Sequence, residues 1–186
     1  MMIETIISNN CTGGAIMHQL GMEFKTPTVN LQILPEQFAK FCIDLKYYMN
    51  TELVEYTNIS YKHRKYIEKM FGGIPDMPFG LIDDIVVCFQ HYDTFAEAKQ
   101  KWDERKVKVD YDHIGYIFHA RDDGYSWEAL RFMSLNLPNS VIITEGFTLP
   151  KVVALDTSDG KNAFTACGDH PYICEAMDFK AWREQS

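Results

Sequence analysis

The sequence lacks any pair of cysteines at Cys-x-x-Cys spacing, although it contains five cysteines. They lie far apart along the chain, at Cys11, Cys42, Cys88, Cys167 and Cys174. This spacing indicates neither a zinc site nor a redox dithiol. An odd number of scattered cysteines is typical of free thiols in a reducing compartment.

An excess of positive charge is also absent. The chain carries 26 acidic and 18 basic residues, which gives a formal net charge of −8. Such a field repels a phosphate backbone unless a local basic patch overrides it. We therefore expect no nucleic-acid partner.

Long apolar runs and a secretory leader are missing as well. The longest uncharged stretch, residues 5–22, contains asparagine, glutamine, histidine and glycine, and it is too polar to span a membrane. No basic segment precedes an apolar run at the amino terminus. These absences predict a cytoplasmic protein with no membrane span.

The chain does have enough apolar residues for one core. Its 186 residues are 46% hydrophobic, which suits a single domain over residues 1–186. Predicted strands at 3–7, 28–34, 82–89, 113–119, 140–144 and 152–155 alternate with predicted helices at 14–20, 35–49, 94–105, 126–133 and 175–183. Residues 58–80 interrupt this order as an irregular excursion, with a helical piece followed by a loop. The alternation predicts an α/β fold with a mostly parallel or mixed sheet and helices on both faces.

The first candidate for a binding site is the loop over residues 8–14, between a predicted strand and a predicted helix. It offers hydroxyl, amide and thiol side chains and two glycines, in Ser8, Asn9, Asn10, Cys11, Gly13 and Gly14. Glycines let backbone N–H groups approach a ligand, and the following helix dipole favours an anion such as a phosphate or carboxylate. The spacing matches neither a P-loop nor a dinucleotide fingerprint. The alternative is a turn that these side chains merely cap.

The second candidate is the loop over residues 91–94, after the predicted strand 82–89. His91 could exchange protons near neutral pH, or local hydrogen bonds could simply hold it beside Tyr92. The pair Thr94 and Glu97 matches a capping box and marks the start of a helix. If both strands belong to one sheet, the two loops lie at the same sheet edge, where ligands of α/β folds bind.

Three further residues are candidates with competing roles. Arg105 could bind a carboxylate or phosphate, and Asp122 could bind a metal or sugar hydroxyls, although Asp-Asp-Gly more often forms a solvated turn. Cys11, next to a helix N-terminus, could be a nucleophile with His91 as its base, or an inert residue packed under the turn. No ligand spacing supports a metal site, and the sequence specifies no cofactor.

With these segments identified, the chain resembles a bacterial family of unknown function whose members are named as exopolysaccharide or capsular polysaccharide biosynthesis proteins. The resemblance rests on Ser8-Asn9-Asn10-Cys11 with Gly13-Gly14, and on His91-Tyr92 followed by Lys101-Trp102 and Arg105. It implies an α/β fold and a role in making surface polysaccharide. A glycosyltransferase-like or acyl-transferring activity is suggested only by the family's name.

Three hypotheses about function follow. The first is an enzyme that acts on an activated sugar, with residues 8–14 binding the anionic part and His91 as acid or base. The second is an acyltransferase or hydrolase in which Cys11 is the nucleophile and His91 the base. The third is a non-catalytic module that binds a sugar nucleotide or another protein.

Overall fold

The computed structural model describes residues 2–150 and 152–184, except for the side chains of Asp123 and Cys167. In chain order, these residues form β1 (Thr5–Ser8), α1 (Thr12–Gln19), β2 (Gln32–Ile33), α2 (Pro35–Ile43), α3 (Leu45–Asn50), β3 (Leu53–Glu55), α4 (Tyr61–Phe71), β4 (Phe79–Ile82), β5 (Ile85–Cys88), α5 (Phe95–Lys106), β6 (Ile114–Ala120), α6 (Ser126–Ser134), β7 (Ser140–Glu145), β8 (Val153–Leu155), β9 (Ala166–Cys167), β10 (His170–Pro171), α7 (Ile173–Ala176) and α8 (Phe179–Glu184).

Four strands form a parallel sheet in the order β1-β6-β7-β8. Ser8 pairs with Ile117, and Ala120 pairs with Thr144, so the carboxyl ends of β1, β6 and β7 lie together. The strands are mostly apolar because both faces of the sheet are covered. Side chains of one parity pack with α2 and α6, and those of the other parity pack with α1, α7 and α8. The predicted α/β fold with helices on both faces is confirmed.

A second, antiparallel sheet has the order β2-β5-β4-β3. The prediction of one strand over residues 82–89 is wrong, because β4 and β5 form a hairpin in which Ile82 pairs with Ile85. Asp83 and Asp84 form its two-residue turn, and Asp83 takes a φ of 54°, which aspartate tolerates better than most residues. Residues 3–7 and 82–89 therefore end in different sheets.

Side-chain caps mark the start of α4, within the excursion over residues 58–80, and the start of α5, after the loop over residues 91–94. Ser60 caps α4 by accepting a hydrogen bond from the backbone N–H of His63 at 3.3 Å, and α4 ends at Gly72 in the left-handed conformation. Thr94 caps α5 through the N–H of Glu97 at 3.2 Å, as the capping box predicts. Within the described residues, every helix is too short or too polar to cross a bilayer.

Candidate functional site

A cavity of about 570 Å³ lies where the carboxyl end of the parallel sheet meets the antiparallel sheet. Asn10 and Cys11 line this cavity from the end of β1, and Arg121 lines it from the end of β6. The antiparallel sheet contributes Gln32, Gln90 and His91, while Phe71, Met77 and Phe164 form apolar walls. The two predicted loops thus line one cavity, but from two sheets and not from one sheet edge.

One backbone hydrogen bond connects the two sheets beside this cavity. The N–H of Ile33, on β2, donates to the carbonyl oxygen of Asn9 at 2.8 Å. Gln32 is therefore held next to the loop that follows β1. This contact explains how residues from separate sheets share one cavity.

The cavity has a positive local charge in a chain whose net charge is −8. Arg121 is the cation among the lining residues, and its guanidinium lies 5.4 Å from the centre of the Phe164 ring. None of the described lining residues is acidic. A ligand oxygen with negative charge would therefore be attracted by Arg121 and would meet no carboxylate among the described lining residues.

Cys11 is held as a neutral thiol. Its Sγ donates hydrogen bonds to the Gln90 side-chain oxygen at 3.6 Å and to the Leu31 carbonyl at 3.8 Å. Burial raises the pKa of Cys11, although the charge of Arg121 opposes the change. Desolvation therefore outweighs the opposing effect of Arg121 on this thiol. Although Cys11 and His91 share the cavity, no hydrogen bond joins them within the described residues.

Other predicted site residues have local partners. His91 is exposed, whereas the neighbouring Tyr92 hydroxyl accepts from the Arg105 Nη1 at 3.1 Å. Arg105 also lies over the Phe24 ring at 5.7 Å and does not line the cavity. Asp122 accepts from the backbone N–H of Gly124 at 2.8 Å, which forms the turn, and it too lies outside the cavity lining.

The glycines of the first loop allow close packing of α1. A Cβ on Gly13 would lie 2.6 Å from the Ser8 Cβ, and a Cβ on Gly14 would lie 3.2 Å from the Val29 Cγ1. Ser8 is fully buried, and its hydroxyl accepts from the Asn10 N–H at 3.4 Å. These three residues position the loop, and the cavity lining begins only at Asn10.

Sequence reasoning missed a polar network directly behind Asn10. His119, near the end of β6, is almost fully buried, and its Nδ1 lies 2.7 Å from the Thr12 Oγ1 and 3.2 Å from the Asn10 Nδ2. On the other side of the ring, Nε2 lies 2.8 Å from a carboxylate oxygen of Glu145, at the end of β7. The two atoms are close enough for a hydrogen bond, but the alignment of the N–H with the oxygen is poor. The common sheet edge of these strand ends was a signal in the sequence.

Hydrogen bonding determines which nitrogen of His119 carries the proton. The Thr12 N–H donates to the Asn10 Oδ1 at 3.0 Å, so the Asn10 Nδ2 faces the imidazole. An amide nitrogen only donates, and Nδ1 must therefore accept. Burial lowers the pKa of His119 even though Glu145 opposes the change, so the ring is neutral with its proton on Nε2.

Glu145 is a carboxylate that closes this network. Burial by itself would raise its pKa, but the His119 contact, the Ala163 N–H at 3.2 Å and the charge of Arg121 together lower it. Asn9 adds a separate bridge between β1 and β6, because its amide bonds both the N–H and the carbonyl of His119, at 2.8 and 3.1 Å. The ends of β1, β6 and β7 are thus joined by polar contacts.

The chain belongs to the family described as a domain of unknown function, DUF1919, whose model matches residues 3–152. It is also similar to an uncharacterized protein of Haemophilus influenzae, with 29% identity over 140 residues. That alignment covers 75% of this chain and 61% of the relative, so the chain spans less than two thirds of the relative's length. The predicted membership of a bacterial family of unknown function is confirmed.

Proposed function

We propose that this member of the DUF1919 family is a cytoplasmic protein of exopolysaccharide or capsular polysaccharide biosynthesis that binds the anionic part of an activated sugar in the 570 Å³ cavity. The observation that carries the proposal is the charge of the lining. Arg121 faces a cavity whose described lining residues include no carboxylate. The resemblance to polysaccharide biosynthesis proteins favours an activated sugar over other anions.

The hydrogen-bonding groups of the cavity support the same ligand class. The side-chain oxygen of Gln90 already accepts from the Cys11 thiol, so its amide N–H groups remain for a ligand. Together with the guanidinium of Arg121, they suit the acceptor oxygens of a phosphate. The walls formed by Phe71, Met77 and Phe164 suit the apolar face of a sugar or base ring.

The geometry favours glycosyl transfer over acyl transfer by Cys11. A nucleophilic cysteine needs a thiolate and a base, but Cys11 donates to two oxygens and makes no hydrogen bond with His91. His91 lines the cavity and is exposed, so it can act as an acid or base on a bound substrate. A non-catalytic binding module is the second candidate, and it is favoured by the lack of a described partner that orients His91.

A thermal-shift series tests the proposal. Nucleoside-diphosphate sugars, acyl-CoA thioesters and free sugars are compared, each with wild type, Arg121→Gln and Arg131→Gln. Arg131 is a matched control because it is exposed on α6 and does not line the cavity. At a hundredfold excess over Kd, a ligand stabilises the fold by about 2.7 kcal/mol, which raises Tm by roughly 5 to 10 °C.

We expect the nucleoside-diphosphate sugars to stabilise wild type and Arg131→Gln but not Arg121→Gln. A shift that survives Arg121→Gln, or one produced equally by free sugars, would contradict anion binding in this cavity. A shift with acyl-CoA alone would contradict the sugar. His91→Ala then separates the two candidates, because an enzyme loses turnover and keeps binding, whereas a binding module has no turnover to lose.

A further inference from the structure

Asn10 belongs both to the cavity lining and to the buried network behind it. Asn10 is a lining residue of the cavity, although it is only 3% exposed, and its side-chain amide contacts Thr12 and His119. The proposed function uses Arg121 and Gln90 and gives no role to His119 or Glu145. A buried histidine and a partly buried glutamate behind a cavity wall therefore remain to be explained.

We propose that His119 and Glu145 are positioning residues, which fix the Asn10 amide so that an N–H and not its carbonyl faces the ligand. The proposal rests on the proposed function of the cavity and narrows the ligand. The ligand atom opposite Asn10 is then an acceptor oxygen, as in a phosphate or carboxylate. A ligand that places a hydroxyl donor or an ammonium group there is excluded.

The side-chain amide of Asn10 makes two hydrogen bonds inside the protein. The Asn10 Oδ1 is occupied by the Thr12 N–H at 3.0 Å, and one hydrogen of Nδ2 points to the His119 Nδ1 at 3.2 Å. An amide nitrogen carries two hydrogens, so one N–H remains. Both known contacts of the amide lie inside the protein and Asn10 lines the cavity, so we assign the remaining N–H to the cavity side.

The second step concerns Glu145, which selects the tautomer of His119. Its carboxylate lies 2.8 Å from Nε2 and is held by the Ala163 N–H, so it favours a proton on Nε2. Moving that proton to Nδ1 would set an N–H against the donating Nδ2 of Asn10, while the Thr12 hydroxyl could keep its hydrogen bond with Nδ1 by accepting instead of donating. The amide of Asn10 would then turn, and its carbonyl would face the cavity.

The third step separates positioning from general structural support. Asn9 joins β1 to β6 through the backbone N–H and carbonyl of His119, which a side-chain substitution retains. Replacing the imidazole therefore leaves this bridge between the strands. A loss of ligand affinity without a matching loss of strand pairing would be the sign of a positioning role.

A spectroscopic experiment tests the orientation without any ligand. In protein labelled with ¹⁵N on histidine, we expect the His119 ring to be neutral at pH 7, with the proton on Nε2. His119→Leu assigns the signal. A proton on Nδ1, or an imidazolium at pH 7, would overturn the proposal. This measurement uses wild-type protein, so it stands even if a variant fails to fold.

Titration with inorganic pyrophosphate tests the effect on binding. We expect Asn10→Asp, which replaces the N–H by a carboxylate oxygen, to weaken binding by at least about tenfold. We expect His119→Leu to weaken pyrophosphate binding by about tenfold. His119→Asn should weaken it much less, because the asparagine oxygen can lie near the former position of Nδ1 and accept from the Asn10 amide. Unliganded Tm values serve as controls for folding.

Equal affinities for Asn10→Asp and wild type would overturn the proposal, as would equal affinities for the two His119 variants. If wild type does not bind pyrophosphate, the proposed anion site fails. The ring spectrum then still decides whether His119 fixes the Asn10 amide, because it requires no ligand. The two failures are therefore distinguishable.

Discussion

The substitution Gly13→Ala tests whether this glycine is needed for the approach of a ligand or for the close packing of α1 against the parallel sheet. The Cβ that this substitution adds would lie 2.6 Å from the Ser8 Cβ and 3.3 Å from the Ile6 Cγ2. Both neighbours are fully buried on β1, a strand that pairs with β6 along its length. A Cβ contact of this length cannot be relieved by a side-chain rotation, so α1 must move away from the sheet.

The expected size of the effect follows from two opposing contributions. Overpacking in a well-packed core destabilises a protein by about 1 to 3 kcal/mol. Alanine stabilises a helix by up to about 1 kcal/mol relative to glycine, which partly offsets the clash. We therefore expect a net loss of about 1 to 2 kcal/mol in the free energy of unfolding, or roughly 2 to 8 °C in Tm for a chain of this length.

Thermal or urea unfolding of the unliganded protein measures this loss. Gly73→Ala is the matched control, because its new Cβ would meet no atom within 4 Å and its φ is not positive. Gly14→Ala should lie between the two, since its Cβ would be 3.2 Å from the Val29 Cγ1. A Gly13→Ala protein with unchanged Tm but weakened anion binding would refute the packing explanation and restore the idea of ligand approach.

Three other predictions concern titration and binding. Because burial raises the pKa of Cys11, we expect iodoacetamide to modify it no faster than Cys174 at pH 6 to 7, and rapid selective modification there would support covalent chemistry. Arg105→Lys should lower Tm slightly through the lost Tyr92 contact and leave ligand affinity unchanged, so weaker binding would place Arg105 at the ligand. Burial lowers the pKa of His119 below its unfolded value of about 6.5, so the unfolded chain binds the proton at a higher pH than the folded protein does. The free energy of unfolding should therefore be constant with respect to this group above pH 6.5 and should decrease as the pH falls below 6.5. His119→Leu should flatten that loss between pH 6.5 and 5 in urea unfolding, and equal slopes for variant and wild type would show that the folded imidazole is protonated there.

Much of the fold could be predicted from local patterns. The capping box at Thr94 predicted the start of α5, and the apolar run over residues 113–119 predicted β6, because these signals depend only on near neighbours. The pairing of Ile82 with Ile85 is also local, and its signal was the pair Asp83 and Asp84 inside the apolar run, which is a hairpin turn and not an interruption of one strand. The pairing of this hairpin with β2 and β3 depends on residues far away in the sequence. The separate antiparallel sheet was therefore not predicted.

The same limit applies to the candidate site. Both loops were predicted as candidate binding segments, and residues of each line one cavity, but through contacts between sheets that the sequence does not show. Arg121 and Glu145 were missed because neither lies in a motif. Candidate site residues were predicted after both β1 and β6. Arg121 follows β6, which lies next to β1 in the sheet, and Glu145 ends β7, which lies next to β6. Applying the rule of shared carboxyl ends to every predicted strand would have brought them together with Asn10.

The family match divides the cavity into two contributions. Residues 3–152 include the polar groups Asn10, Gln90 and Arg121, whereas Phe164 lies beyond the matched range. Residues beyond the matched range also contact polar groups within it, because the Phe164 ring packs against the Arg121 guanidinium and the Ala163 N–H donates to the Glu145 carboxylate. The charge of the cavity therefore comes from the part of the chain that matches the family, and one apolar wall comes from outside it. Because Phe164 contacts the guanidinium of Arg121 directly, the proposed anion site would depend on this later segment as well as on the matched one.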